Sequence, residues 1–458
     1  MTLATARRPS ARWIGRLKRG GVSLAMAKGA AWSVGGNAAG MAVSFVVQIL
    51  LARSLEATNY GVYAYLLAWV NVAAMIGKLE YDTAAVRFVG AYDGQRFDGL
   101  LHGFLRHARN TVLRAAVGVA LVGVLAAVLF HRHLPEGLGR NAIIISAILV
   151  PLTALLLLSS ASLQGFRRVP QSQLPPLLFR PLLFGAGVLL VGPLLGRTLS
   201  VGSAVGLNAA ATAVALLVSL SLLARAVPAS ASAATPEYET ARWTRAVRGF
   251  LLIAAAQMVL SQQADILVVG SLLGAREAGL YSVASQLTTL IGFGATAVVF
   301  VVLPTLSSLH AQGRRAELQR LVTSIVQACA AVSIPTTILL VAAGHIVLRW
   351  YGPGFDGAHV VMLVLCSAQV LHATVGIVSG FLLTMTGHEW EASRVIVGTA
   401  VLNLVLMFIL TPVLGVLGTA IATVFAGVVK LSLLWVYARR YVGVVALPFG
   451  RSRAAAAS

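Results

Sequence analysis

The sequence predicts an all-α membrane protein of about twelve transmembrane helices, arranged as two six-helix lobes related by an internal repeat. Three observations carry this. Of 458 residues, 58% are hydrophobic and only 11% charged, with a mean hydropathy of +0.86, a composition that ordinary soluble domains do not approach. A bilayer-spanning helix needs roughly 20 mostly apolar residues. The chain offers twelve such runs with no soluble domain between them, at about 29–52, 60–83, 109–130, 140–163, 173–195, 201–224, 247–273, 279–303, 321–345, 358–384, 393–412 and 415–438. Finally, a shift of 218 positions lays Gly61, Tyr63, Arg96 and Leu100 onto Gly279, Tyr281, Arg314 and Leu318. The second half therefore repeats the first in the same orientation, a construction that many transporters use. The organisation that follows is a basic N-terminal segment (1–28), an N-lobe (29–224), a linker (225–246), a C-lobe (247–438) and a basic tail (439–458).

The charge distribution orients the chain. Of 35 Lys and Arg, 27 fall at the two ends of the sequence, Lys430 included, or in the loops after runs 2, 4, 6, 8 and 10. Six (Arg53, Arg132, Arg140, Arg197, Arg276, Arg349) fall on the other side, while Lys78 and Arg180 lie inside runs. The positive-inside rule then places both termini and the linker in the cytoplasm. The net charge of +21 faces anionic membrane lipids, and no nucleic-acid partner is implied. The first 28 residues lack the apolar core of a cleavable signal, and Trp13, Ile14 and Leu17 suit a short interfacial helix. Cys329 and Cys366 fall within apolar runs as small buried hydrophobes.

In run 1, the stretch Ser33-Val-Gly-Gly-Asn37-Ala-Ala-Gly40 permits close helix approach, and Asn37 is either part of that packing seam or lines a polar path with Gln48. Run 2 ends among Lys78, Glu80, Asp82 and Arg87. The spacing of four from Lys78 to Asp82 puts opposite charges on one helical face, so this is an ion-paired helix end or the mouth of a cavity for a charged substrate. Residues 92–109 are polar and amphipathic and are expected to lie on the membrane surface, with His102 and His107 solvated or facing the headgroups. Run 5 carries Pro175-Pro176 and Arg180-Pro181, and prolines bend a helix and free carbonyls. An arginine facing lipid costs about 2.5–3.5 kcal/mol if central, so Arg180 either contacts an anion in a cavity or reaches back to the headgroups.

Residues 225–248 read as a flexible connection, with a Ser/Ala/Pro run and mixed charges. Run 7 holds Gln257, Ser261, Gln262, Gln263 and Asp265 within nine residues. A buried acid is expensive unless protonated or given a cation, which leaves Asp265 as an ion-responsive group or as a neutral structural one. Asn403 in run 11 offers a neutral oxygen. The tryptophans at run ends, Trp32, Trp243, Trp350, Trp390 and Trp435, fit an interfacial belt. Phosphate-binding glycine loops and His-Glu-x-x-His zinc motifs do not occur in the sequence, and no long polar loop is available to hold a sugar for chemistry. A transporter is expected rather than an enzyme, and no cofactor is called for.

The opening AAWSVGGNAAGMAVSFVVQILLARSLEATNYGVYAY, the run VRFVGAYDGQ, LQGFRR at the end of run 4 and LGAREAGLYSVASQL in the second half resemble polysaccharide flippases. The chain is similar over nearly its whole length to the O-antigen and exopolysaccharide branch of the multidrug/oligosaccharidyl-lipid/polysaccharide (MOP) exporter superfamily. The resemblance implies a V-shaped pair of lobes that opens alternately to the two sides of the bacterial inner membrane. It implies a polyprenyl-diphosphate-linked oligosaccharide as substrate, with glycosyltransferases and a polysaccharide polymerase as partners. The cations available to such a substrate are Arg180, Lys78 and Arg87. Related lipid II flippases couple to a cation through an acid on helix 7 with Asn and acidic groups on helices 11 and 12. Asp265 and Asn403 resemble part of that set, but runs 11 and 12 contain no acid, which leaves H⁺ and Na⁺ both open as the coupling ion. A drug/cation antiporter of the same superfamily and a membrane enzyme of envelope glycan synthesis are the alternatives.

Overall fold

The computed structural model describes residues 21–129, 139–194, 196, 198–312, 314–385 and 388–442. Trp13, Ile14 and Leu17 and most of the basic tail lie outside them. The described residues of the apolar runs are helical apart from breaks at 78–80, 260–261 and 415. The first helix, α1 (Gly21–Gly77), breaks at Glu56, whose φ of 62° and ψ of 169° leave the helical region. Its apolar part, Gly35–Gly77, has 43 residues, or roughly 65 Å at 1.5 Å per residue. That is about twice a bilayer core of ~30 Å, so Glu56 divides it into two lengths of one crossing each.

Leu79 and Glu80 both take left-handed φ values, of 49° and 59°. They end the second length and start α2 (Tyr81–Gln95) in a new direction. The expected run 60–83 thus stops at Gly77. The amphipathic surface element is α2, which buries Tyr81, Ala84, Ala85, Phe88, Val89 and Tyr92, the 3.6-residue stripe of a helix lying on other helices. Residues 98–109, expected to lie on the surface, instead begin the long α3 (Asp98–Leu129). His102 and His107 are half-buried and partnered: His102 donates to the Ala234 carbonyl at 2.9 Å, and His107 Nε2 lies 3.1 Å from Tyr81 Oη.

α4 (Arg140–Gly165) is followed by α5 (Val169–Leu174), a π turn at Pro175–Phe179 and α6 (Arg180–Leu189). The prolines explain the π turn. Pro176 and Pro181 have no N–H to donate, and the ladder widens so that Arg180 N–H reaches the Pro175 carbonyl five residues back. α7 (Val201–Ala226) starts from a reciprocal Ser200–Ser203 cap.

The second half comprises α9 (Thr240–Val259) and α10 (Gln262–Leu272), bent by 52°, then α11 (Ala275–Ala311), α12 (Arg315–Tyr351), α13 (Ala358–Leu371), α14 (Ile377–Met385), α15 (Glu389–Leu414) and α16 (Val416–Tyr437). Among the described residues nine helices are long and apolar enough to cross a membrane, ten with the bent pair. The expected count of twelve requires α1 to be two crossings and α11 another.

Between the halves, the expected flexible linker is a packed element. α8 (Ala229–Ala233) buries Ala231, Glu237 N–H donates to the Gly99 carbonyl at 2.9 Å, and Trp243 is fully buried. Trp243 Nε1 donates to Tyr92 Oη at 3.0 Å, Tyr92 donates to Glu239 at 3.0 Å, and the ring packs edge-on against Phe104. Trp243 is therefore a core residue, not part of an interfacial belt. Trp350 and Trp390 remain exposed and fit one.

The lobes meet where the repeat brings its turns together. A Cβ on Gly61 would land on the Ala275 carbonyl, and one on Gly279 would lie 2.9 Å from Gly61 Cα. Only glycine allows this approach. Around it Tyr65 Oη lies 3.0 Å from Ser271 Oγ, the Tyr60 ring packs edge-on against Phe355, and Arg53 Nε donates to the Trp350 carbonyl at 2.7 Å. One hydrophobic core runs across this contact from Val47–Ala68 to Tyr281–Val299. A second joins α2, α3 and α4 to Ala231 and Trp243.

Candidate substrate and cation sites

Because the helix begins at Val169, Arg180 stands near the middle of the apolar run Val169–Gly192, too deep to serve as a headgroup anchor at the helix start. Its Nε and Nη2 donate to Asn208 Oδ1 at 3.3 and 3.1 Å. Asn208, buried on α7, donates in turn to Tyr63 Oη at 2.8 Å, and Thr212 caps the Asn208 carbonyl at 2.7 Å. Arg180 thus faces inward onto α7 and α1. A guanidinium has five N–H donors, and Asn208 engages two. No carboxylate among the described residues pairs with Arg180, so its positive charge is available to a ligand.

Asn37 lies on the part of α1 that packs on the same run. One turn further, a Cβ on Gly40 would lie 2.6 Å from the Leu177 carbonyl, the close approach that the small-residue stretch predicts. Lys78 is placed differently. It sits just past Gly77, buried, with its Nζ 2.6 Å from Glu80 and 2.8 Å from Asp82. Burial disfavours its charge, and the carboxylates of Asp82 and Glu80 outweigh that and hold the ammonium above its ordinary range. The spacing of four does make the pair, but across a broken backbone rather than along one helix. With its charge taken up by Glu80 and Asp82, Lys78 ties the α1–α2 corner. Arg87 is exposed on α2 over the Phe88 ring and forms no ion pair among the described residues.

In the C-lobe, Asp265 occupies the first turn of α10 beside the bend and is buried, 3% exposed. Tyr281 donates to its Oδ2 at 2.6 Å and Thr423 at 3.3 Å, while Oδ1 has no partner among the described residues. Asn403 is buried, and neither amide atom is partnered there. One turn beyond each, Val268 and Met407 pack together with Ala422, so α10, α15 and α16 converge at this level. The repeat supports the same pairing. Shifted by 218, Val47 and Gly185 correspond to Asp265 and Asn403, and a Cβ on Gly185 would lie 2.6 Å from Val47 Cγ2. Unsatisfied buried oxygens are costly, and carboxylate, amide and hydroxyl oxygens are the donors that a hard cation takes. The set fits a proton or a small cation at Asp265 Oδ1.

Tyr63, Asn208, Tyr281 and Thr423 were not anticipated. Asn208 was findable, as the one amide in its apolar run, and the two tyrosines were visible only as partners in the repeat. Lys430, counted above with the C-terminal charges, lies inside α16 and forms no ion pair among the described residues.

Two packed helical halves with polar groups held at mid-depth define a transporter fold. Residues 26–310 match the polysaccharide biosynthesis protein family, and the chain belongs to it. It is 22% identical over 411 residues, 89% of this chain and 82% of the relative, to the probable low-salt glycan biosynthesis flippase Agl15 of Haloferax volcanii. Among solved structures it shares its fold with an inward-facing multidrug resistance MATE family transporter of the MOP superfamily, with a TM-score of 0.65 and 14% identity over 90% of this chain and 94% of that one. It shares it equally with the lipid II flippase MurJ in an inward closed conformation, at 0.66 and 13% over 88% and 86%.

Proposed function

We propose that the protein moves the glycan head of a polyprenyl-diphosphate-linked oligosaccharide across the bacterial inner membrane, for synthesis of a surface polysaccharide such as O antigen or exopolysaccharide. The observation that carries this reading is Arg180, a mid-span cation anchored by the neutral Asn208 in a member of the polysaccharide biosynthesis family. The apolar tail of such a substrate stays in lipid, and only the charged head needs a polar route. A guanidinium can bind two phosphate oxygens at once. With twelve crossings, the charge asymmetry supports both termini and the linker in the cytoplasm. In that orientation the Gly61–Gly279 contact closes the periplasmic end, and the head enters from the end that carries the linker.

Coupling runs through Asp265. A proton or Na⁺ reaching Oδ1, with Asn403 and Thr423 beside it, stabilises the lobe arrangement that brings these oxygens together. A tenfold difference in ion affinity between two arrangements is worth about 1.4 kcal/mol, enough to bias a nearly balanced equilibrium. Glycosyltransferases supply the substrate and a polymerase consumes it. The drug-antiporter alternative shares the fold. A cationic drug would, however, have to enter beside Arg180, where no acid among the described residues pairs with the guanidinium.

Deletion in the native host, with complementation, tests the proposal. Loss of surface glycan together with accumulation of lipid-linked oligosaccharide on the cytoplasmic leaflet is expected. Unchanged surface glycan with altered drug resistance contradicts the reading.

A further inference from the structure

A second polar site lies at the linker end of the N-lobe, away from Arg180. A half-open cavity of about 670 Å³ is lined by α3, α4, α7 and the linker. One face of α3 presents His102, Arg106 and Arg109 to it, residues spaced four and three apart and so on one stripe. Its opposite walls are apolar, with Leu158 from α4 and Leu220 and Leu223 from α7. Ser159 and Ser219, 2.8 Å apart, satisfy each other between α4 and α7. The linker lines the cavity with Ala231 and Ser232 and is tied there by the bond from His102 to the Ala234 carbonyl.

No carboxylate lines this cavity. Neither Arg106 nor Arg109 forms an ion pair among the described residues. The apolar wall also leads outward: Leu220 is 38% exposed and Leu217, one turn deeper on α7, is 66% exposed on the outer surface of the bundle. Two unpaired guanidiniums at the rim, over a leucine-lined groove that runs onto a lipid-facing helix, have the polarity of one ligand class. A phosphate takes the guanidiniums, and a hydrocarbon chain takes the leucines. A soluble phosphate would leave the groove unfilled, and a neutral lipid would leave both charges unmatched.

We propose that this cavity holds an anionic glycerophospholipid of the membrane, its phosphate between Arg106 and Arg109 and an acyl chain against Leu158, Leu220 and Leu223, and that the bound lipid fastens the linker to the N-lobe. The inference does not depend on the transported substrate.

The test uses full-length protein in vesicles that contain phosphatidylglycerol with a photoreactive diazirine in one acyl chain, or the matched phosphatidylcholine. Cross-links are mapped by peptide mass spectrometry. Phosphatidylglycerol should label peptides spanning 155–162 and 220–232 at least about fivefold more than phosphatidylcholine, the selectivity expected of one or two basic residues against an anionic lipid. Arg106→Gln with Arg109→Gln should abolish that excess and leave residues 227–239 more open to protease, because the lipid no longer fastens the linker, while the fold persists because both side chains are exposed. Arg114→Gln, elsewhere on α3, should leave it intact. Equal labelling by the two lipids, labelling unaffected by the double substitution, an equal loss in Arg114→Gln, or competition by inorganic phosphate alone would each overturn the proposal.

Discussion

Tyr63 and Tyr281 stand 218 positions apart in the repeat, both are buried, and each holds the polar group of its own lobe. Tyr63 accepts from Asn208, which fixes Arg180, and Tyr281 donates to Asp265. The same position of the repeat therefore holds the Asn208–Arg180 pair in one half and Asp265 in the other. A hydroxyl can play both parts because it accepts as readily as it donates. Tyr281→Phe should shift the ion dependence of transport while leaving substrate binding in place, and Tyr63→Phe should weaken binding of the glycan lipid by roughly the 0.5–1.5 kcal/mol of a lost hydrogen bond. Transport assays at graded ion and substrate concentrations separate the two effects.

Gly61 and Gly279 set how closely the lobes approach. Gly279→Ala places a methyl against Gly61 Cα, and overpacking of this kind costs about 1–3 kcal/mol. The variant should melt lower and should expose residues 53–60 to labelling that the wild type resists. Gly35→Ala is the control, since a Cβ there meets nothing within 4 Å, and it should behave as wild type.

The linker expectation and the linker structure differ in a measurable way. Removing a fully buried tryptophan from a core costs about 3–5 kcal/mol, whereas truncating one in a free tether costs almost nothing. Trp243→Ala should therefore lower the melting temperature and open residues 227–239 to protease. An unchanged melt would mean that the segment is a tether after all.

Topology follows from charge alone and is checked independently. A cysteine at Ser232, in a background without Cys329 and Cys366, should react with an impermeant maleimide only after the cells are permeabilised. Reaction in intact cells would invert the protein and the direction of transport argued above.

The apolar runs were legible because a spanning helix must satisfy its own backbone and show lipid a continuous apolar face. The corners were not. Glu56, Leu79 and Glu80 turn the chain with non-glycine residues at positive φ, and such residues are held there by tertiary contacts that a local pattern does not carry. The Ser/Ala/Pro content of 225–248 suggested a free chain, yet Ala231 and Trp243 are buried in the N-lobe core and the backbone at Ala234 and Glu237 bonds to α3. At the sites, Arg180 and Asp265 were legible because a charge in an apolar run is expensive. Their partners Asn208, Tyr281 and Thr423 were not, since ordinary polar residues acquire meaning only by proximity. Lys78 illustrates the converse, a charge in the right region whose acids neutralise it.

The central claim is that Arg180 receives the diphosphate head and Asp265 answers the ion. Purified protein in vesicles, loaded with polyprenyl-diphosphate oligosaccharide and given an imposed pH or Na⁺ gradient, tests both when the glycan reaching the far leaflet is followed with an impermeant lectin. Wild type should translocate and respond to one of the gradients. Arg180→Ala should lose translocation by about 10–100-fold, the scale of a bidentate charge-assisted contact, with partial recovery in Arg180→Lys. Asp265→Asn should be indifferent to both gradients. Full translocation by Arg180→Ala, together with a wild-type gradient response in Asp265→Asn, would contradict the account.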